Sequence, residues 1–298
     1  MSSIGLLSPG ANVRHGILWM LLTSVFFVSL DATAKYLTRS YPVIEITWAR
    51  YLFHFLFVAV WTGRRLPALL PHARFGMQFL RGLFLVGTTV IYFLGLRSLP
   101  LPDATSINFL SPILVTALSV PLLGEQVGVR RWIGVAFGFA GAVIIVRPDT
   151  GVIQVAALLV MAAAVLNALY QITTRVLGRT DHPVTTNFYS ALVGTALMTL
   201  GLPFVWTTPS LEGWLLMALA GLFGSVGHYC LIRAFSAAPA VVVSPFGYAS
   251  LIWSTGFGYL IFGDLPDGWT LLGAFIIIGS GLYIFYREQV KKSEWTKR

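Results

Sequence analysis

Residues 79–96 read FLRGLFLVGTTVIYFLGL, eighteen positions that carry a single charge, Arg81. A helix of about 20 predominantly apolar residues spans the hydrocarbon layer of a bilayer, and this stretch matches that length and polarity. Working outward, the same texture recurs at 16–37, 43–61, 104–123, 132–146, 152–173, 184–205, 214–234, 241–262 and 269–286, which makes ten windows in all. The breaks between them are turn-forming: Tyr41-Pro42, Pro100-Leu101-Pro102-Asp103, Arg147-Pro148-Asp149, Thr208-Pro209-Ser210 and Pro266-Asp267-Gly268. Most connections are short, so sequence neighbours are expected to run antiparallel.

Composition points the same way. Of the 298 residues 56% are hydrophobic and 10% charged, with a mean hydropathy of +0.79, against about 25% charged in an ordinary soluble domain. Apolar side chains at this density exceed what a water-soluble fold of this size could bury. Ten spans leave no room for a separate soluble domain. The lead from Met1 to Arg14 lacks a charged start to an apolar core and a small-residue cleavage site, so it is expected to be a short cytosolic lead. Cys230 is the only cysteine and sits in an apolar run, which excludes a disulfide framework and reads as a small buried hydrophobe. The net charge of +9 is scattered at helix ends with no basic stripe, so it speaks for orientation in the lipid bilayer and not for nucleic acid.

Counting Lys and Arg on alternate sides gives the orientation. With the N-terminus inside, fifteen fall on the inner side, among them Arg14, Arg64, Arg65, Arg130, Arg131, Arg179, Lys291 and Lys292, against five outside: Lys35, Arg39, Arg50, Arg97 and Arg147. Both termini are therefore expected in the cytoplasm. The chain also repeats itself weakly. Leu122-Leu123-Gly124-Glu125 before Trp132 recurs as Ile261-Phe262-Gly263-Asp264 before Trp269, and Leu96-Arg97-Ser98-Leu99 as Ile232-Arg233-Ala234-Phe235. Lys35-Tyr36-Leu37 before Pro42 echoes Arg175-Val176-Leu177 before Pro183. Five helices per half is odd, so the halves are expected to be inverted: 16–147 and 151–287, followed by a basic cytosolic tail at 288–298. The predicted fold is thus an all-α integral membrane protein of ten transmembrane helices in two inverted five-helix repeats. Such repeats hold their binding site near the midplane and open it to each side in turn.

The two halves, each with a Gly-acid pair before a last glycine-rich helix, resemble the EamA repeats of the drug/metabolite transporter superfamily. Within it the chain is most similar to the YddG-type amino-acid exporters of bacterial inner membranes. That resemblance implies export of aromatic and other neutral amino acids through ten helices in the inner membrane.

Polar groups at mid-span either line a cavity or bond between helices. The third span offers Arg81, Thr88 and Tyr92 on one face, the fourth Asn108, and the sixth Asn167, Tyr170, Gln171 and Thr174. Ser225 and His228 lie in the eighth, and Tyr248, Ser250 and Trp253 in the ninth. Hydroxyls and amides suit a zwitterion, and aromatic faces suit an apolar or cationic side chain. The candidate substrate-binding set is Thr88, Tyr92, Asn108, Asn167, Tyr170, Gln171, Ser225, His228, Tyr248 and Trp253. Interhelical bonding is the competing role for each, and for His54 and His228 it is the more ordinary one.

Asp31 and Lys35, four apart, are expected to form a structural ion pair on one face of the first helix. Small multidrug relatives in the superfamily use a first-helix carboxylate for proton coupling; Asp31 lies nearer the helix end than that pattern and has Lys35 beside it. Pro112 and Pro121 in the fourth span and Pro245 in the ninth should interrupt corresponding helices along the substrate path. The gating set is Asp31, Lys35, Pro112 and Pro245. Gly134, Gly138, Gly141 and Ala142, with Gly273 and Gly281 in the tenth span, form small-residue faces for close packing, extendable to a dimer contact. Five scattered histidines and one cysteine offer neither a metal site nor catalytic residues, so no enzyme and no cofactor are expected. A channel would more usually ring identical subunits. The functional expectation is amino-acid export by a monomer or homodimer, with multidrug or quaternary-cation efflux as the alternative.

Overall fold

The structure is a computed structural model that describes residues 9–63, 74–125, 127–147, 152–177, 181, 183–238 and 240–295. Among these residues every regular element is helical. They are α1 (Pro9–Leu37), α2 (Val43–Thr62), α3 (Phe75–Leu96), α4 (Leu101–Asn108), α5 (Leu110–Leu123), α6 (Val129–Val146), α7 (Val152–Leu177), α8 (Pro183–Gly201), α9 (Leu211–Ala237), α10 (Ala240–Val243), α11 (Ser250–Phe257) and α12 (Gly268–Trp295). Three-ten turns follow α8 and α10, and one π-helical turn, Gly258–Phe262, follows α11. The expected charges at Arg64, Arg65, Arg179, Lys297 and Arg298 and the Pro148-Asp149 turn lie outside the described residues.

Among the described residues eight helices are long and apolar enough to cross a membrane: Val13–Leu37, Val43–Thr62, Phe75–Leu96, Leu101–Leu123, Val129–Val146, Gln154–Leu177, Leu211–Ala237 and Gly268–Arg287. The other two windows take different forms. In α8 the first turns are polar, and Thr185, Thr186 and Ser190 are buried against the rest of the protein. The window at 241–262 is a chain of short pieces, because Pro245 removes a backbone donor and Gly247, Gly256 and Gly258 add little helix propensity. The fourth window is interrupted as well. The α4/α5 break falls at Phe109, three residues before Pro112, whose ring nitrogen has no proton to give the Asn108 carbonyl. Pro121 sits inside α5.

The two Gly-acid pairs end their helices with one cap. Gly124 (φ 67°) and Gly263 (φ 75°) both turn left-handed, a region that costs glycine nothing. Glu125 N–H then donates to Ser119 O at 3.3 Å and Asp264 N–H to Gly258 O at 3.0 Å, the same six-residue closure.

The main helix contacts recur when the two halves are exchanged, although α12 also packs on α4 and α5, and α2 on α3, without a counterpart. The α1–α9 contact corresponds to α7–α3, α2–α9 to α8–α3, and α5–α7 to α11–α1, while α2–α8 and α6–α12 are their own counterparts. The α6–α12 seam uses Gly134, Gly138, Gly141 and Gly273, whereas Gly281 faces Tyr248 and the cavity described below. A Cβ on Gly141 would lie 2.8 Å from the Gly273 carbonyl oxygen, so the two backbones touch. Ser280 Oγ donates to the Gly134 carbonyl in the same seam. Outward, Val60, Phe137, Phe204, Leu260 and Phe275 are all more than 60% exposed, an apolar exterior suited to lipid.

Candidate transport cavity

Where α1, α4, α5, α9, the 244–249 turn and α12 meet, a cavity of about 390 Å³ opens between the halves. On α1 its wall runs from Asp31 through Val28, Phe27 and Ser24 back to Met20; on α12 it runs along Gly281, Leu282 and Phe285. The cavity thus extends toward the end where α1 begins and α12 ends, the same end where Gly16 packs on Ala238. Asp31, Tyr92 and Thr105 line it at the end away from the start of α1, with Tyr92 Oη donating to Asp31 Oδ2 at 3.2 Å. The two helix breaks face each other across it: the Phe109 and Tyr248 rings meet edge to face at 4.9 Å. Asn108 Oδ1 is buried with no protein partner, and Gln171 Nε2 donates to Ser111 Oγ at 3.1 Å.

Of the expected binding residues, Tyr92, Asn108, Gln171 and Tyr248 line this cavity, as do Asp31, Pro112 and Pro245 from the gating set. The others lie elsewhere. Tyr170 is bound by Arg81, whose guanidinium donates to Tyr170 Oη at 2.6 Å, to Thr174 Oγ1 at 2.7 Å, to Thr186 O at 3.0 Å and to Ser190 Oγ. This knot ties α3 to α7 and α8, and Gln78 extends it by donating to Asp181 Oδ2 at 2.8 Å. His228 stacks on His54 at 5.5 Å and meets Phe27 edge-on at 5.1 Å, so it serves the α1–α2–α9 interface. Ser225 is buried on the same helix. Thr88 and Asn167 are half-buried away from the cavity. Trp253 stands one step behind the wall, its Nε1 donating to Ser24 Oγ at 3.0 Å.

The expected Asp31–Lys35 pair is not made. Lys35 turns away from the cavity, 2.7 Å from Asp264 Oδ2, and donates to the Leu99 carbonyl at 2.5 Å. A carboxylate from the other half of the chain has won over the one a turn away, so Asp31 is left to the cavity. Sequence reasoning also missed Ser24, Phe27, Thr105, Phe109 and Phe285. Phe27 sits one turn before Asp31 and Phe285 one turn after Gly281, a helical register that would have found them once Asp31 was placed inside.

Beyond Lys35 lies a second, smaller cleft of about 250 Å³, lined by Lys35, Thr38, Arg39, Arg97, Phe262 and Asp264. The Lys35–Asp264 pair lies between this cleft and the central cavity, beside a buried apolar layer that includes Ala34, Leu99, Leu101 and Ala104, with Pro102 packed on Gly258. Lys35 Nζ also lies 4.8 Å over the Phe262 ring.

An all-helical membrane protein with a polar, aromatic-rimmed cavity between two similar halves has the build of a transporter. The sequence pattern of the EamA-like transporter family matches residues 14–147 and again 154–286. The chain belongs to that family, within the drug/metabolite transporter superfamily. It is 31% identical to an S-adenosylmethionine uptake transporter of Rickettsia prowazekii, over 94% of this chain and 95% of that one. It is 31% identical to a riboflavin transporter of Vibrio cholerae, covering 94% and 97%. A pseudopaline exporter of Pseudomonas aeruginosa is 26% identical, covering 89% and 94%. These relatives differ in cargo and in direction.

Proposed function

We propose that this transporter carries amino acids and amino-acid-derived metabolites out of the cell by alternating access, with the substrate ammonium on Asp31. The single observation that carries the reading is the Asp31 carboxylate in a cavity rimmed by Phe27, Phe109, Tyr248 and Phe285. A carboxylate attracts a cationic group, and aromatic faces accept an apolar side chain or a cation. Thr105, Asn108 and Gln171 supply hydroxyl and amide groups for the other end of a zwitterion. S-adenosylmethionine, the cargo named for the Rickettsia relative, joins an amino-acid zwitterion to a sulfonium and an aromatic base, and fits the same chemistry.

The working form is ten spans in two inverted repeats, 16–147 and 151–287, in the inner membrane with both termini in the cytoplasm. Support comes from main helix contacts that recur on exchange of the halves, from the shared Gly-acid cap and from the doubled family match. The charge bias supports the orientation, and a cavity reaching the terminus-bearing end supports loading from the cytosol. Quaternary-cation efflux is the second reading, favoured by the same carboxylate lying free of Lys35.

The deciding experiment is flux in proteoliposomes for phenylalanine, glutamate, arginine, S-adenosylmethionine and tetraethylammonium, with the parent and Asp31→Asn. The proposal expects phenylalanine and S-adenosylmethionine to move, glutamate to lag, and Asp31→Asn to cut both by at least about tenfold. Tetraethylammonium outrunning every amino acid would replace the proposal by the second reading. Flux indifferent to Asp31→Asn would remove Asp31 from the site.

A further inference from the structure

Lys35 is drawn to a partner across the molecule although Asp31 stands one helical turn away on its own face. One turn of helix is about 5.4 Å, and a lysine stem is long and flexible enough to reach across it. We propose that Lys35 is the moving part of the gate: it holds Asp264 while the cavity faces the terminus-bearing end, and passes to Asp31 when the opposite end opens. The substrate cation on Asp31 is then displaced by the protein's own cation, and released into the cleft that Lys35 has vacated. The inference rests on the alternating-access reading above.

Three observations carry it. First, the pair stands on the line between the two spaces: Lys35 and Asp264 line the small cleft, Asp31 one turn along the same helix lines the central cavity, and the pair caps a buried apolar layer of Ala34, Leu99, Leu101 and Ala104 with Phe262 packed on it. Secondly, the contact joins the halves, so a rocking motion of one against the other must break it. A lysine at 11% side-chain exposure in a membrane protein cannot be left without a counter-charge at small cost. Asp31 is the carboxylate on the same helix face; it now accepts from Tyr92 and lies in the field of Arg50, and it makes no pair with Lys35. Asp103 feels both Lys35 and Asp264 electrostatically, but it lines neither cavity.

The third observation is an asymmetry. The other end of the molecule carries a matching pair, Arg175 with Glu125 at 2.6 Å, built from the sequence counterparts of Lys35 and Asp264. One turn inward from Arg175 stands Gln171 where Lys35 has Asp31. The second cation has no carboxylate one turn inward on its own helix, so this form of partner exchange belongs to one end alone.

The test reads gate opening without any substrate. In a Cys230→Ala background, Thr105→Cys places a thiol in the cavity wall, and Thr208→Cys reports that a membrane-impermeant thiol reagent reaches the Lys35 end. Added from that side, the reagent should label Thr105→Cys about tenfold faster when Asp264→Asn is also present, a population shift toward the open gate. Adding Asp31→Asn removes the destination and should bring the rate back to within about twofold of the parent, a coupling that a purely structural ion pair lacks. Asp31→Asn alone should slow labelling below the parent, and needs no change to the gate pair should Asp264→Asn fail to fold. Equal labelling with and without Asp31, or the same coupling from Asp103→Asn, overturns the proposal. If Thr208→Cys reacts and Thr105→Cys never does, alternating access itself fails, which is a different result from losing the substrate assignment.

Discussion

The two ends of the molecule are built from the same parts and differ in what surrounds them. At one end Lys35 meets Asp264 at 2.7 Å with side-chain exposures of 11% and 29%; at the other Arg175 meets Glu125 at 2.6 Å with exposures of 45% and 35%. Both acids follow a left-handed glycine in the same cap, and both cations close a helix just before a proline-started one. Equal distances therefore conceal unequal energetics. The less exposed a pair is, the more it costs to leave one member unpaired, whereas a wetted pair is screened and worth little. The less exposed pair lies at the Lys35 end, and the more exposed pair flanks the end toward which the cavity extends.

The comparison breaks most easily at Lys35. Lys35→Met strands Asp264 and removes the gate cation, and is expected to cost about 2–3 kcal/mol of stability with flux lowered by at least about tenfold per folded molecule. Thermal unfolding in detergent and flux in proteoliposomes measure the two. A variant that melts early but transports at the parental rate would make the pair a brace and nothing more.

How much of this was legible beforehand depends on the range of the interaction. The spans were readable because lipid selects composition window by window, and the Gly-acid pairs because they repeat. Asp31 and Lys35 misled for a physical reason: the i, i+4 rule describes an isolated helix, and Asp264, 229 residues away, offered a better partner once the halves packed. Tyr170 and Gln171 make the same point at the smallest scale. They are adjacent, yet a helix turns by about 100° per residue, so one feeds the Arg81 knot and the other the cavity. Composition marked both as polar and at mid-span, but only the third dimension says which way each faces. Hydropathy alone makes the windows at 184–205 and 241–262 look like ordinary spans because it averages over a proline break or a polar first turn.

A sharper test makes the ends alike. Gln171→Glu gives Arg175 the carboxylate neighbour that Lys35 already has and adds a second negative charge to the cavity. The expected result is a KM for tetraethylammonium lowered about tenfold, or ~1.4 kcal/mol, read from the concentration dependence of flux. Stability should fall by about 1 kcal/mol through loss of the amide bond to Ser111. An unchanged KM would mean that Gln171 lies outside the path the cation takes.

The smallest effect belongs to Glu125→Gln, and it tests the comparison most directly because it touches only the exposed pair. Two side chains with 45% and 35% exposure keep much of their hydration, so removing one charge should cost no more than about 1 kcal/mol. That corresponds to a fall in Tm of at most about 2–4 °C. The interaction is also within reach of mobile ions: screening tightens from about 8 Å at physiological salt to about 3 Å at 1 M, so the small loss should vanish in 1 M salt while the Lys35→Met loss persists. Unfolding scans of both variants at the two salt concentrations settle it. A large, salt-insensitive loss from Glu125→Gln would mean that Arg175 and Glu125 spend most of their time buried, and that the protein rests with this end closed and the Lys35 end open.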